Sequence, residues 1–208
     1  MKRVPTMLLG VALAGAMSAA HADLSYNFDA DAQGFTVNDV AAGDLSWQAP
    51  GYLRIRDVTD VSNVFLVLPA ADTTGNWAQY LGGTLAFDAR LELPISSYWP
   101  EFGAVTLVSS QGSLTVDAVA IDEPGTAWKT YSVSLDAGTW SGGDVAGFTT
   151  FLSNLQRVEI NLEAGNGAIE VLHIDNLSVT AVPEASTWAM SAMGLVLMGA
   201  LARRRKEA

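Results

Sequence analysis

Apolar and polar residues alternate with period two along most of the middle of this chain. Thr84-Leu85-Ala86-Phe87-Asp88-Ala89-Arg90-Leu91 and Lys129-Thr130-Tyr131-Ser132-Val133-Ser134-Leu135 are the clearest runs. Such alternation sets one row of side chains against a core and the other toward water, as in half-buried β-strands. The segments DLSYNF, YLRIRDV, NVFLVL, GTLAFDARLEL, FGAVTLVSS, SLTVDAVAI, KTYSVSL, RVEINLEA and AIEVLHIDNLSVTAV share this character and are rich in Val, Leu, Ile, Thr, Tyr and Phe. Turn signals separate them at Pro50-Gly51, Gly82-Gly83, Gln111-Gly112, Pro124-Gly125, Gly142-Gly143 and Gly165-Asn166-Gly167. Many short strands at near-regular spacing predict an all-β, antiparallel sandwich. One stretch has a different period. Between Gly147 and Gln156, the residues Phe148, Phe151, Leu152 and Leu155 fall at helical spacing, which predicts a single short helix leading into a strand at Arg157.

The two ends of the chain carry apolar runs without alternation. At the start, Lys2 and Arg3 precede the run Met7–Ala19, followed by Ala20-His21-Ala22. A basic start, a short apolar stretch and small residues at the end form a secretory signal peptide. Cleavage is expected after Ala22, making Asp23 the new N-terminus. At the other end, Thr187–Ala202 is apolar and runs into Arg203, Arg204, Arg205 and Lys206. As a helix at ~1.5 Å per residue this span is about 24 Å, short for a hydrocarbon core of roughly 30 Å. Snorkelling by the basic cluster would extend it, and that cluster marks a cytoplasmic side. Pro183 and Glu184 suit the first turn of such a transmembrane helix. The expected organisation is therefore a signal peptide at 1–22, a sandwich at 23–181 and a C-terminal segment at 182–208. About 160 residues in the middle suit one domain able to bury its own core.

Two resemblances follow from motifs in order. The segments GNWAQYLGGTLAFDARL, VTLVSSQGSLTVDAVA, GTAWKTYSVSLDAGTW and FLSNLQRVEINLEAGNGAIEVLHIDNLSV resemble a laminin B domain, also called laminin domain IV. That resemblance implies a jelly-roll sandwich related to galactose-binding and carbohydrate-binding modules, and it does not imply catalysis. The C-terminal order of Val182-Pro183-Glu184-Ala185, short apolar helix and arginine cluster resembles the PEP-CTERM sorting signal of Gram-negative bacteria. Ala185 departs from it, standing where the commonest form has a second proline. The resemblance implies processing at or near this motif by an exosortase, a membrane cysteine protease, and passage to the outer envelope. A plain single-pass anchor is the competing reading of the same tail.

Charge narrows the partners. Five basic residues (Arg54, Arg56, Arg90, Lys129, Arg157) face twenty acidic ones between residues 23 and 181, and the other basic residues lie in the two ends. So acidic a domain repels nucleic acid and anionic lipid. With no cysteine and, after export, only His173, a zinc site or a Cys-His pair is excluded. No Gly-x-Ser-x-Gly elbow is present either, and His173 reads as structural, sharing a strand face with Val171 and Asp175 while Leu172, Ile174 and Asn176 share the other. The carboxylate pairs Asp122-Glu123, Asp57 with Asp60, and Asp29 with Asp31 are the arithmetic of an acidic chain rather than a glycosidase pair. Asp29 and Asp31 on a turn, with Asp175, are candidates for one structural calcium where the first and last strands meet, since calcium takes six to eight oxygens. Among the aromatics, Trp77, Trp128 and Trp140 read as core or edge packing. Tyr98 and Trp99, in a loop before Pro100, are candidates for stacking on a sugar ring.

These readings together describe a non-enzymatic protein exported by the Sec machinery. It passes through an inner-membrane intermediate facing the periplasm to the cell surface or extracellular matrix, where the sandwich binds or organises polysaccharide. A structural or adhesive protein that contacts other proteins is the alternative, and a glycan-active enzyme a more distant one.

Overall fold

Residues 23–38, 44–57, 63–118, 123–166 and 169–182 are described by a computed structural model of the chain, and they all belong to one compact unit, His21–Val182. In chain order the strands are β1 (Leu24–Tyr26), β2 (Thr36–Asn38), β3 (Asp44–Gln48), β4 (Tyr52–Arg56), β5 (Phe65–Val67), β6 (Thr84–Leu91), β7 (Ala104–Ser109), β8 (Gly112–Asp117), β9 (Lys129–Ser134), β10 (Leu155–Asn161) and β11 (Val171–Thr180). They form two sheets. The first runs β3-β4-β11-β6-β9, with β1 also paired to β11, and the second runs β2-β5-β10-β7-β8. Every pairing is antiparallel.

Strict alternation explains the two layers. In β6, Leu85, Phe87, Ala89 and Leu91 are buried while the residues between them are half-buried. In β7 the buried row is Val105, Leu107 and Ser109. The inner rows of both sheets, with Leu53, Ile55, Val158, Ile160, Leu172 and Ile174, share one core. At roughly 25 cal/mol per Å² of apolar surface removed from water, this shared core is the main source of stability.

One local irregularity decides the shape of the last strand. Opposite β6, the register of β11 shifts between Asp175 and Ser178, and Asn176 adopts a left-handed φ of 49°. A bulge inserts one residue and resets which side chains point inward. Leu172 and Ile174 are therefore buried before it, and Leu177 and Val179 after it. The sequence pattern had put Asn176 on the face of Leu172 and Ile174; the bulge turns it to solvent instead. The bulge also separates two partners on one edge: β4 pairs with Val171–Ile174, and β1 pairs with Leu177–Val179.

Among the described residues, three short α-helices, rather than one, and a 3-10 turn at Ala78–Tyr80 join the strands. α1 spans Ala70–Thr73, α2 Ala137–Ser141 and α3 Val145–Leu152. The helix expected at 147–156 starts two residues earlier and ends at Leu152, because Leu155 already begins β10. Asp136 and Asp144 cap the last two helices, accepting from Thr139 N and Gly147 N at 2.9 Å each, which satisfies amides the helix leaves open. Phe148, Phe151 and Leu152 are buried beneath α3. Gly83 has a stricter role: a Cβ there would collide with the carbonyl oxygen of Thr180, so only glycine permits this close approach of backbone to backbone. No helix among the described residues is long and apolar enough to cross a membrane.

Candidate functional site

The outer face of the first sheet gathers aromatic and charged side chains into one row. His173 of β11 lies opposite Arg54 of β4 on one side and opposite Arg90 of β6 on the other. Ala89 lies opposite Lys129, so Trp128, one step earlier, falls beside Arg90. Because alternation sends Leu53, Ile55, Ala89, Leu172 and Ile174 inward, their neighbours in each strand must point outward.

Aromatic rings cover the centre of this row. The Tyr52 ring centre is 4.6 Å from that of His173 and 6.1 Å from that of Trp128, the latter pair edge to face. The Trp128 and His173 centres are 6.3 Å apart. The Arg90 guanidinium sits 5.0 Å from the Trp128 ring centre, a cation–π distance. Trp128 keeps 41% of its surface in solvent, whereas His173 keeps 4%. Trp128 thus presents a half-exposed indole with the Arg90 guanidinium over its ring and the Tyr52 and His173 rings beside it. Of the three tryptophans read as core or edge packing, Trp77 and Trp140 are in the core and Trp128 lies beside the edge strand β9.

Glu92 organises the charged side of the row. Its Oε2 accepts from Arg54 Nε at 2.9 Å and lies 3.1 Å from His173 Nε2. The Arg54 hydrogen bond, with help from His173, holds the Glu92 carboxyl below its usual range. Burial lowers the His173 pKa, outweighing the hydrogen bond to Glu92, so the imidazole is neutral near pH 7. A neutral ring facing a carboxylate donates through Nε2, which leaves Nδ1 as an acceptor. His173 Nδ1 and Arg90 Nε are both buried without hydrogen-bond partners among the described residues. In the next row, Asp88 accepts from Thr130 Oγ1 at 2.6 Å and from Asn176 Nδ2 at 2.9 Å. The face can therefore offer an apolar plane, carboxylates and guanidinium groups to one ligand.

The outer face of the second sheet is built differently. A hollow of about 520 Å³ elsewhere is lined by Glu92, Leu93, Pro94, Ile95, Ser96 and Ile169, among others. The second sheet's own hollow, about 460 Å³, is lined by Phe65, Glu101, Ala104, Thr106, Thr115, Asp117 and Asn161. Thr106 and Thr115 hydroxyls bond each other across it at 2.9 Å. It holds one aromatic ring, Phe65, and no tryptophan or tyrosine.

The residues singled out in sequence lie apart from the aromatic row. Tyr98 is 45% exposed and bridges to Gly165, while Trp99 N–H donates to Ala164 O at 2.9 Å. Both belong to a loop fastened to the turn between β10 and β11. Asp29 and Asp31 are exposed. Asp31 Oδ1 accepts from Gln33 N at 2.7 Å. Asp175 Oδ1 accepts from Asn176 N at 2.7 Å. Burial raises the Asp175 pKa, with Asp88 and Asp29 adding to it. First and last strands do pair, but Asp29, Asp31 and Asp175 do not converge as one set of ligands. Among the described residues, the carboxylates whose oxygens converge are Asp57, Glu163 and Glu170. Asp23 Oδ1 accepts from Ala181 N at 2.9 Å, tying the two ends of the sandwich together. Val182 is exposed. Ala20, Ala22, Pro183, Glu184, Ala185 and Arg203 to Lys206 lie outside the described residues, as do Asp60 and Asp122.

Residues 181–206 match the family model of the PEP-CTERM protein-sorting motif, so the chain carries that motif. No curated protein matches the chain. Among solved structures, the L4b domain of human laminin alpha-2 superposes with a TM-score of 0.57 at 14% identity, covering 77% of this chain and 98% of that one. The family 30 carbohydrate-binding module of a Clostridium thermocellum cellulosomal cellulase gives 0.51 at 12% identity, covering 77% and 99%. An agarase gives 0.55 at 15% identity over 78% of this chain. The chain spans 25% of the agarase's length. At these identities the likeness shows the fold: a jelly-roll-like sandwich of the kind seen in carbohydrate-binding modules and a laminin domain.

Proposed function

We propose that this is an exported, non-enzymatic protein whose sandwich binds polysaccharide on the outer face of its first sheet. The observation that carries the reading is the exposed Trp128 plane, set edge to face with Tyr52 and flanked by Arg90, Arg54 and Glu92. The apolar face of a pyranose ring stacks on such a plane, and nearby charged and polar groups fix its hydroxyls. The fold shared with a carbohydrate-binding module and a laminin domain supports the reading. The sorting motif supports delivery to the envelope, with an exosortase as the processing partner and the inner membrane as a transient station. The acidic balance of the chain disfavours a strongly anionic polymer, so the ligand is a neutral or weakly charged polysaccharide.

Affinity electrophoresis of the full-length chain through soluble polysaccharides, with and without Trp128→Ala, tests this. Retardation by at least one neutral polysaccharide, lost in the variant, is the expected result. Equal retardation of both proteins would move the site elsewhere, and no retardation by any polymer would favour a protein-binding, adhesive role. Turnover of a glycan would overturn the non-enzymatic reading.

A further inference from the structure

At the end of the sandwich where β4 finishes and β11 begins, three acids from distant parts of the chain meet. Asp57 follows β4, Glu163 follows β10 and Glu170 precedes β11. They are 2%, 6% and 3% exposed, and one carboxylate oxygen from each lies within 4.8 Å of the other two. The backbone fixes them there. Asp57 N–H donates to Glu170 O at 3.0 Å. Glu170 Oε1 accepts from Ala164 N at 2.9 Å and Gly165 N at 3.0 Å. Glu163 N–H donates to Asn161 Oδ1 at 2.9 Å. Glu163 Oε2 and Glu170 Oε2 are buried with no hydrogen-bond partner among the described residues.

We propose that Asp57, Glu163 and Glu170 form a binding site for one divalent cation, calcium by preference. Buried carboxylates are ordinarily paired or bound to metal, because an unpaired buried charge is costly. Neither glutamate is paired with a basic side chain among the described residues. Calcium binds oxygens at 2.3–2.6 Å, so oxygens up to roughly 5 Å apart can share one ion. The spacing here fits that limit. Three carboxylates, some bidentate, with carbonyls and water can complete six to eight ligands. An all-oxygen set without histidine or cysteine suits a hard cation rather than zinc. The site is not the expected Asp175 position: Glu170 lies five residues earlier, about 17 Å along an extended strand at ~3.3 Å per residue.

Calcium chloride titrated into the EDTA-stripped full-length chain tests the proposal, read by isothermal calorimetry and thermal unfolding. One ion per chain is expected, with Tm rising by about 5–10 °C at roughly a hundredfold excess over Kd. Magnesium at the same concentration should give a smaller rise. Glu163→Gln replaces a buried carboxyl crowded by two others with a neutral amide, so it should fold with a Tm in EDTA at or above that of the parent. It should nevertheless bind calcium at least tenfold more weakly. Glu170→Gln, which keeps an acceptor for Ala164 and Gly165, should behave likewise. Asp29→Asn and Asp175→Asn should retain the calcium response. Absence of any calcium heat or Tm shift in the parent would overturn the proposal. So would a response that survives Glu163→Gln but is lost in Asp175→Asn.

Discussion

The two outer faces of this sandwich share one core and almost nothing else. On the first sheet, Tyr52, His173 and Arg90 come from three neighbouring strands and meet Trp128, which precedes a fourth, in a row. On the second, threonines, Asn161, Asp117 and Phe65 line a hollow. The second face has a hollow, and the first has the better chemistry for a sugar. A hydroxyl-lined hollow competes poorly with water, which offers the same hydrogen bonds. An exposed indole plane gains from losing water and adds orientation. Shape alone would point to one face, and physical chemistry to the other.

The largest effect should come from deleting the plane. Trp128→Ala is expected to weaken polysaccharide binding by about 2 kcal/mol or more, roughly 30-fold, as central aromatic anchors do. Thr115→Trp, which fills the opposite hollow, should change affinity less than twofold. Paired isotherms on the two variants decide between the faces, and the reverse ranking would exchange them. Next in size is Tyr52→Ala, expected at about tenfold, because it removes both a stacking surface and the ring that covers His173.

A smaller effect is expected in stability, and it again marks the first face. Burial holds His173 below the ordinary imidazole range. The unfolded chain binds this proton near pH 6.5, the folded one only at lower pH. His173 therefore contributes fully above about pH 6.5 and costs stability as pH falls through its folded value. Glu92, Arg54 and Arg90 are the charges facing it, beside the rings of Tyr52 and Trp128. Glu163, Glu170 and Asp175, whose carboxyls are raised, shift stability in the opposite direction. The His173 share is the difference between the parent and His173→Gln: Tm of the parent should fall more between pH 7.5 and 5.5. Parallel curves would mean that His173 is not buried neutral. The smallest effect concerns salt. Affinity for a neutral polysaccharide should change less than twofold between low and 0.5 M salt, whereas a strong decline would mean an anionic ligand.

Much of the sandwich was legible in the alternation of β6, β7 and β9, where each strand is long enough to repeat its pattern. β2 and β3 were not. Three or five residues with polar side chains, such as Thr36-Val37-Asn38 and Asp44-Leu45-Ser46-Trp47-Gln48, carry too short a period, and pairing to β5 and β4 makes them strands. The site was less legible than the fold. Trp128 precedes β9 by one residue, so only the register of β9 against β6 shows that it turns outward beside Arg90. Asp57 was paired in sequence with its neighbour Asp60, yet its partners in space lie more than a hundred residues on. Glu170 arrives because β4 and β11 are adjacent, whereas Glu163 comes from the end of β10 in the other sheet. A signal for this existed in principle: three acids, each next to the end of an apolar strand, in positions where a strand pattern places few charges.

The central claim is that the Trp128 face, and not the hollow opposite, receives the polysaccharide. Its most direct test is a nitrogen-15 NMR titration of the protein with an oligosaccharide cut from the polymer that retards it. The account expects saturable shifts at the Trp128 indole N–H, at Tyr52 and Arg90, and at the Arg54 and Glu92 backbone, with Thr106, Thr115 and Asn161 unmoved. Shifts confined to Thr106, Thr115 and Asn161, or to Tyr98 and Trp99, would contradict it.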